Sequence, residues 1–224
     1  MISIDGTDIS GVTIDGTDVQ EITIDGSTAW TAGPIFEDGF ESGDISKWNV
    51  NDEEYIAVTN NYVRTGSYGL QMEGTGYYGS EITANTSPID FSGGGKVTVY
   101  INLYSIGGAG SWSVRLINNN NDGFISIEGD SYNNQGVFLN GKELADYPIL
   151  DGQPTQNEWW KLEIEFSSDG TITGRLTDNS GNTYSNSFTQ DSKYHNSIKV
   201  GLRTKGSFDA EDNCKMAFDD VKIE

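Results

Sequence analysis

The residues best suited to chemistry are aromatics, amides and carboxylates in polar loops and on the outer alternations of strands. Tyr77 and Tyr78 occupy the stretch Gly74-Thr75-Gly76-Tyr77-Tyr78-Gly79, a glycine-rich loop that can offer both rings to solvent. Rings of this kind stack on the apolar C–H faces of sugars, while amide and carboxylate side chains take the hydroxyls. Trp159, Tyr100, Tyr104 and Tyr132 are secondary candidates for such a carbohydrate site, Tyr132 having Asn133 and Asn134 beside it. Each also has a bland reading, since aromatics in a sandwich usually pack. Trp48, Trp112 and Trp160 are read as core.

Nucleophilic chemistry finds no partners. The only histidine, His195, lies in the polar stretch Asp191-Ser192-Lys193-Tyr194-His195-Asn196 with no cysteine or glycine-framed serine to activate, so it is read as a surface residue. The single cysteine, Cys214, excludes an internal disulfide framework and reads as a small half-buried residue near the last strand. There is no His/Cys cluster for zinc and no glycine-rich loop opening a helix for phosphate. Asn118-Asn119-Asn120-Asn121-Asp122-Gly123 lacks the bidentate glutamate of an EF-hand and reads as a turn.

Charge narrows the partners. Thirty-four acidic residues against 13 basic ones give a formal net charge of −21. The basic residues are scattered singly rather than gathered into a stripe, which argues against nucleic acid. Two sources of acidity stay open: a halophilic surface, where molar salt screens self-repulsion within about 3 Å, or an acidic extracellular protein rich in cation sites. Acids in nearly every loop favour the first. The chain opens Met1-Ile2-Ser3-Ile4-Asp5 with no basic region and no apolar run long enough for a signal peptide or membrane insertion. That fits a particle component assembled inside a cell and released by lysis.

The elements that must position these groups are strands. No stretch keeps a helical apolar period over three turns, whereas period-two alternation is clear. In Lys96-Val97-Thr98-Val99-Tyr100-Ile101-Asn102-Leu103 the aliphatics face one way and Thr98, Tyr100 and Asn102 the other. In Trp159–Phe166 the set Trp160, Leu162, Ile164 and Phe166 is core, and Trp159, Lys161, Glu163 and Glu165 face outward. Residues 35–224 thus read as an antiparallel β-sandwich, behind a linker at 32–34.

Residues 1–31 carry a threefold repeat, ISIDGTDIS, VTIDGTDVQ and ITIDGSTAW. Each unit places Asp-Gly (Asp5-Gly6, Asp15-Gly16, Asp25-Gly26) after an alternating apolar stretch, the signature of a tight hairpin. Strands this short bury too little to stand alone, so the segment is expected to dock on other copies, on a larger assembly, or on its own sandwich. These I-x-I-D-G-T-x-V units resemble N-terminal attachment segments of virion proteins of tailed viruses, including haloarchaeal ones. The resemblance implies anchoring to a particle, through a homo-oligomer and other virion proteins.

The sandwich resembles the concanavalin A-like or laminin G-like jelly roll in five pieces taken in order. They are Phe36-Glu37-Asp38-Gly39-Phe40-Glu41-Ser42-Gly43-Asp44-Ile45-Ser46-Lys47-Trp48, Arg64-Thr65-Gly66-Ser67-Tyr68-Gly69-Leu70, Asn157–Ile164, Asp169-Gly170-Thr171-Ile172 and Met216–Ile223. The resemblance implies a structural cation bracketed by the first and last strands, with Asp38 and Glu41 joined by Asp219 or Asp220. Calcium suits such oxygen ligands; otherwise these acids are turn and surface residues. Some relatives are glycosidases, which need two carboxyl groups across the sugar bond. Here the approach to the glucanase pattern E-x-D-x-x-E, Glu163-Ile164-Glu165-Phe166-Ser167-Ser168, lacks the third acid. The expectation is a non-enzymatic virion structural protein, a turret, spike or tail-fibre component presenting a lectin-like domain to host glycans at the virion surface. The alternative is a secreted or cell-surface carbohydrate-binding module, hence extracellular.

Overall fold

The computed structural model describes residues 3–4, 7–8, 13–14, 17–18, 21–24, 27–31, 33–50, 55–75, 79–107, 110–118, 124–130, 136–141, 149–150, 152, 154–190, 195–206 and 213–224. Among them there is no helix. By proximity along the backbone the chain divides into residues 1–35 with Glu224, and Phe36–Ile223.

In the first unit, β1 (Ser3–Ile4) pairs with β2 (Thr7–Asp8), and β3 (Thr13–Ile14) with β4 (Thr17–Asp18). β5 (Glu21–Ile24) pairs with β6 (Ser27–Thr31). Each repeat unit is therefore its own two-stranded hairpin. The pairs Ile4↔Thr7, Ile14↔Thr17 and Ile24↔Ser27 leave Asp-Gly as the connection each time. The Asp-Gly corners themselves lie outside the described residues.

The second unit is a jelly-roll sandwich of two antiparallel sheets. Its strands are β7 (Phe36–Asp38), β8 (Trp48–Val50), β9 (Ile56–Thr59), β10 (Gly69–Thr75) and β11 (Gly79–Ala84). β12 (Gly95–Gly107), β13 (Ser111–Asn118), β14 (Phe124–Asp130), β15 (Gly136–Gly141) and β16 (Ile149–Leu150) follow. β17 (Trp159–Phe166), β18 (Thr171–Thr177), β19 (Thr183–Thr189), β20 (Ile198–Lys205) and β21 (Asn213–Ile223) complete it. One sheet has eight strands in the order β19-β18-β17-β12-β21-β10-β9, with β7 also paired to β21. The other has seven, β16-β15-β14-β13-β20-β11-β8.

The inward faces form one core, and the alternation read from sequence holds. Val97, Val99, Ile101 and Leu103 on β12 and Trp160, Leu162, Ile164 and Phe166 on β17 are buried. They meet Leu70, Met72, Met216 and Phe218 of their own sheet and Ile82, Val114, Leu116, Ile127, Val200 and Leu202 of the other. Each such side chain contributes about 1.5–3 kcal/mol by leaving water. Trp48, Trp112 and Trp160 are core residues, as expected.

Two expectations are corrected here. His195 is fully buried rather than a surface residue. Phe91 and Phe166 stack with centroids 4.6 Å apart, and the imidazole packs edge-on against Phe166 at 5.4 Å. The Phe91 amide donates to the His195 carbonyl, beside the Ile89↔Ile198 bridge, so backbone pairing at these positions holds His195 inward. Cys214 is fully buried rather than half-buried, on the inward face of β21, and burial pushes its thiol pKa up.

Candidate functional site

The first and last strands of the sandwich do meet: β7 pairs with β21 through Val221↔Asp38 and Ile223↔Phe36. Strict alternation would send Asp219 and Asp220 to opposite faces. The register instead slips between Thr98↔Lys222 and Tyr100↔Asp219, and Asp220 takes a φ of 46°. This bulge lets both acids reach the same crossing segment, residues 64–68. Asp219 Oδ2 accepts from the Arg64 amide at 2.8 Å and Oδ1 from the Asp220 amide at 2.8 Å. Asp220 pairs with the Arg64 guanidinium and accepts from Thr65 Oγ1 at 2.9 Å. Glu41 accepts from the Ser67 and Tyr68 amides at 2.9 and 3.0 Å.

Asp38 is nearly buried, and its carboxylate accepts from the Phe40 amide at 2.9 Å and from Trp48 Nε1 at 2.7 Å. All four acids proposed for calcium thus lie at the junction of the chain ends, but with N–H and O–H donors directed at their lone pairs. As arranged they do not fit a calcium cage: among the described residues no three His, Cys, Asp or Glu side chains are grouped to hold a metal ion. Arg64 supplies a positive charge at this junction, its guanidinium carbon lying 3.3 Å from the centroid of the Tyr100 ring.

Of the aromatic candidates, Tyr77, Tyr78 and Tyr132 lie outside the described residues, as do Asn133 and Asn134. Tyr100, Tyr104 and Trp159 all belong to the outward face of the eight-stranded sheet. One face of Tyr100 is covered by Arg64, and one face of Tyr104 by Tyr62, stacked at 4.2 Å. The Tyr104 hydroxyl faces Glu73 at 3.4 Å, and burial together with that carboxylate raises its pKa. Trp159 is half-buried and sits opposite Asn102, whose Oδ1 is buried with no hydrogen-bond partner. Nearby, Glu163 pairs with Lys161 at 2.7 Å and Glu165 pairs with Arg175, so both carboxylates of the incomplete glucanase pattern are tied into ion pairs.

The outward face of the seven-stranded sheet holds a polar strip that the sequence reading passed over. Register sets Glu81 (β11), Arg203 (β20), Ser113 (β13) and Glu128 (β14) side by side in one row. Thr83, Gly201, Arg115 and Ser126 form the next row. Arg115 Nη1 lies 3.1 Å from Glu81 Oε2, and Arg203 Nε lies 3.7 Å from the same oxygen. Although they face away from the core, Ser113 and Ser126 are 5% and 0% exposed. Glu128-Gly129-Asp130 on β14 has an E-x-D spacing, on the same strand as Ser126. Period-two alternation of polar residues in Ser111–Asn118 and Phe124–Asp130 was the available signal, but only register joins residues so far apart in sequence.

No protein-family model matches the chain, and no curated protein matches it in sequence. Solved structures do. A mixed-linkage-glucan GH16 protein of Bacteroides ovatus, in complex with a G4G4G3G product, superposes with a TM-score of 0.63 at 13% identity, covering 84% of this chain and 99% of that one. An endo-β-1,4-glucuronan lyase of Trichoderma reesei gives 0.59 at 13% identity over 85% and 95%. Lectin II from Ulex europaeus gives 0.57 at 12% identity over 85% and 98%. These likenesses establish the fold: Phe36–Ile223 is a lectin-like jelly roll of the concanavalin A-like kind.

Proposed function

We propose that the sandwich is a carbohydrate-binding module and that the N-terminal hairpins fasten it to a larger assembly. The role is that of a virion attachment component, a turret, spike or tail fibre, rather than an enzyme. The observation that carries the binding reading is the strip of partly exposed side chains Glu81, Arg203 and Glu128 with Thr83 and Arg115 beside them. Charged and hydroxyl groups set about 5 Å apart across neighbouring strands match the fixed, alternating donors and acceptors of a sugar. Trp159, beside the unpartnered Asn102 oxygen, offers a stacking platform on the opposite sheet. Likeness to a legume lectin and to a glucan-bound protein supports carbohydrate as the ligand class. The repeat, with one hairpin per unit too short to be stable alone, supports the anchoring role.

A glycan array probed with the full chain tests the binding role. Retention of at least one glycan class, weakened by Arg115→Gln, is expected; no retention on any glycan contradicts it. Molar mass in solution, at low and molar salt, tests the anchoring. A defined oligomer for the full chain and a monomer for a chain starting at Ile35 are expected, and two monomers contradict it.

A further inference from the structure

We propose that β19 is a pairing edge for a second copy of this chain. Two copies, gathered by their N-terminal hairpins, align β19 antiparallel about a two-fold axis at Asn186 and join their eight-stranded sheets into one. This rests on the anchoring reading and adds the surface through which neighbouring sandwiches meet.

β19 differs from the other strands that end the two sheets. β9, β8 and β16 are four, three and two residues long, and edges that short give another chain little to pair with. β19 has seven residues in unbroken register with β18 and is the last strand of its sheet among the described residues. It carries no lysine, proline or bulge, the devices that blunt a long edge. Thr183, Ser185, Asn186, Ser187 and Thr189 are exposed, so the edge is uncovered.

The backbone direction of that edge follows from the ladder. The Asp178 amide donates to the Asn182 carbonyl at 3.0 Å, and the Gln190 amide to the Gly170 carbonyl at 3.0 Å. Hydrogen-bonded and non-hydrogen-bonded pairs alternate along an antiparallel ladder, so Tyr184, Asn186 and Phe188 bond to β18. The amides and carbonyls of Thr183, Ser185, Ser187 and Thr189 turn away from it. The Ser187 amide is met there by the Asn186 Oδ1 atom at 2.8 Å rather than by a strand.

Self-complementarity is the independent observation. Thr183-Tyr184-Ser185-Asn186-Ser187-Phe188-Thr189 reads almost the same in both directions. A two-fold axis at Asn186 sets Thr183 against Thr189 of the second copy and Ser185 against Ser187. Outward backbone groups then meet outward backbone groups, and both N–H···O bonds of each pair form. Tyr184 faces Phe188 of the second copy at the closer, non-hydrogen-bonded spacing. Both rings are partly buried against the core, and pairing continues that core across the axis. Charge agrees: the chain has a net charge of −21, and β19 has no charged side chain to repel its twin. So small an edge is weak alone and pairs once the hairpins hold copies at high local concentration.

Cysteine cross-linking of the full chain, under conditions where its molar mass shows an oligomer, tests the axis. A residue on a two-fold axis meets its own twin, so Asn186→Cys should give a disulfide-linked dimer on mild oxidation. The Cα spacing of a non-hydrogen-bonded pair, about 4.5 Å, lies within disulfide reach. Thr183→Cys should give none, its twin lying about 20 Å away at about 3.3 Å per residue. The unsubstituted chain should give none either, since Cys214 is buried. Ser185→Pro removes an outward N–H and spares the β18 ladder. It should abolish the Asn186→Cys dimer while the sandwich still melts cooperatively. Equal linking at Asn186→Cys and Thr183→Cys, or an Asn186→Cys dimer that survives Ser185→Pro, overturns the pairing. An oligomer with no linking at Asn186→Cys overturns it too and leaves the anchoring reading intact. Linking confined to Asn186→Cys but undiminished in a chain starting at Ile35 upholds the pairing and overturns the anchoring reading. A full chain that is monomeric in every salt and unlinked overturns both.

Discussion

Arg115 and Glu81 stand on strands that are not neighbours, and their side chains meet across Gly201 of the strand between them. Arg115 Nη1 comes within 3.1 Å of Glu81 Oε2. Gly201 is the register partner of both Thr83 and Arg115, and it leaves the path clear. A Cβ there would stand 3.1 Å from the Ile82 carbonyl and 3.7 Å from Thr83 Oγ1. Gly201→Val should therefore destabilise the sandwich by about 1–3 kcal/mol through overpacking and should separate the ion pair. Urea unfolding measures the first effect and glycan affinity the second. Unchanged stability and affinity would contradict the crossing.

At the junction of the chain ends, Arg64 bridges Asp220 and the Tyr100 ring. Removing it in Arg64→Ala loses a half-exposed ion pair and a cation–π contact, together about 1–2 kcal/mol. Since protein donors already occupy the four acids, a calcium chelator should leave the melting temperature of the full chain unchanged. A drop on chelation, reversed by added calcium, would show that a cation binds the folded state there after all.

The same junction has a signature in acid. The Asp219 carboxyl is held above its ordinary value of 3.8, first because burial disfavours its charge, with Asp220 adding repulsion and the amide hydrogen bonds opposing. An acid with a raised folded pKa binds its proton more tightly folded than unfolded. Its contribution is full below the ordinary value and is lost as pH rises through the folded one. The stability of the wild type minus that of Asp219→Asn should thus be more favourable to the wild type near about pH 3 than near about pH 7. A difference that is flat with pH, or that grows toward neutrality, would contradict the raised value.

Much of the scaffold was legible in the sequence, because one-face burial imposes period two. Lys96–Leu103 and Trp159–Phe166 announced their inward sets, and the two meet in register as Val99↔Leu162 and Ile101↔Trp160. The chain ends were also placed together through the motifs around Asp38 and Asp219. Partners were harder to read. Nothing local says that Asp219 accepts from the amides of Arg64 and Thr65, or that Glu81, Arg203, Ser113 and Glu128 share a row. Such relations depend on which strands become neighbours. His195 misled for the same reason: its polar stretch looked solvated, but the aromatic pair Phe91 and Phe166 that buries it comes from two distant segments.

Cys214 reports on the core directly. It is fully buried and its thiol pKa is raised by burial, so thiolate is scarce and inaccessible in the folded chain. Labelling by a thiol reagent should be slow in buffer and should follow the unfolding curve in denaturant. Rapid labelling of the native protein would show that β21 does not pack as described.

The claim that sugar binds the strip on the seven-stranded sheet is tested most directly by amide chemical-shift mapping of the isotope-labelled full chain, titrated with a glycan it retains on the array. The account predicts the largest shifts at Glu81, Ser113, Arg115, Ser126, Gly201 and Arg203. Shifts confined to Tyr100, Asn102 and Trp159, with the strip undisturbed, would move the site to the other sheet and contradict it.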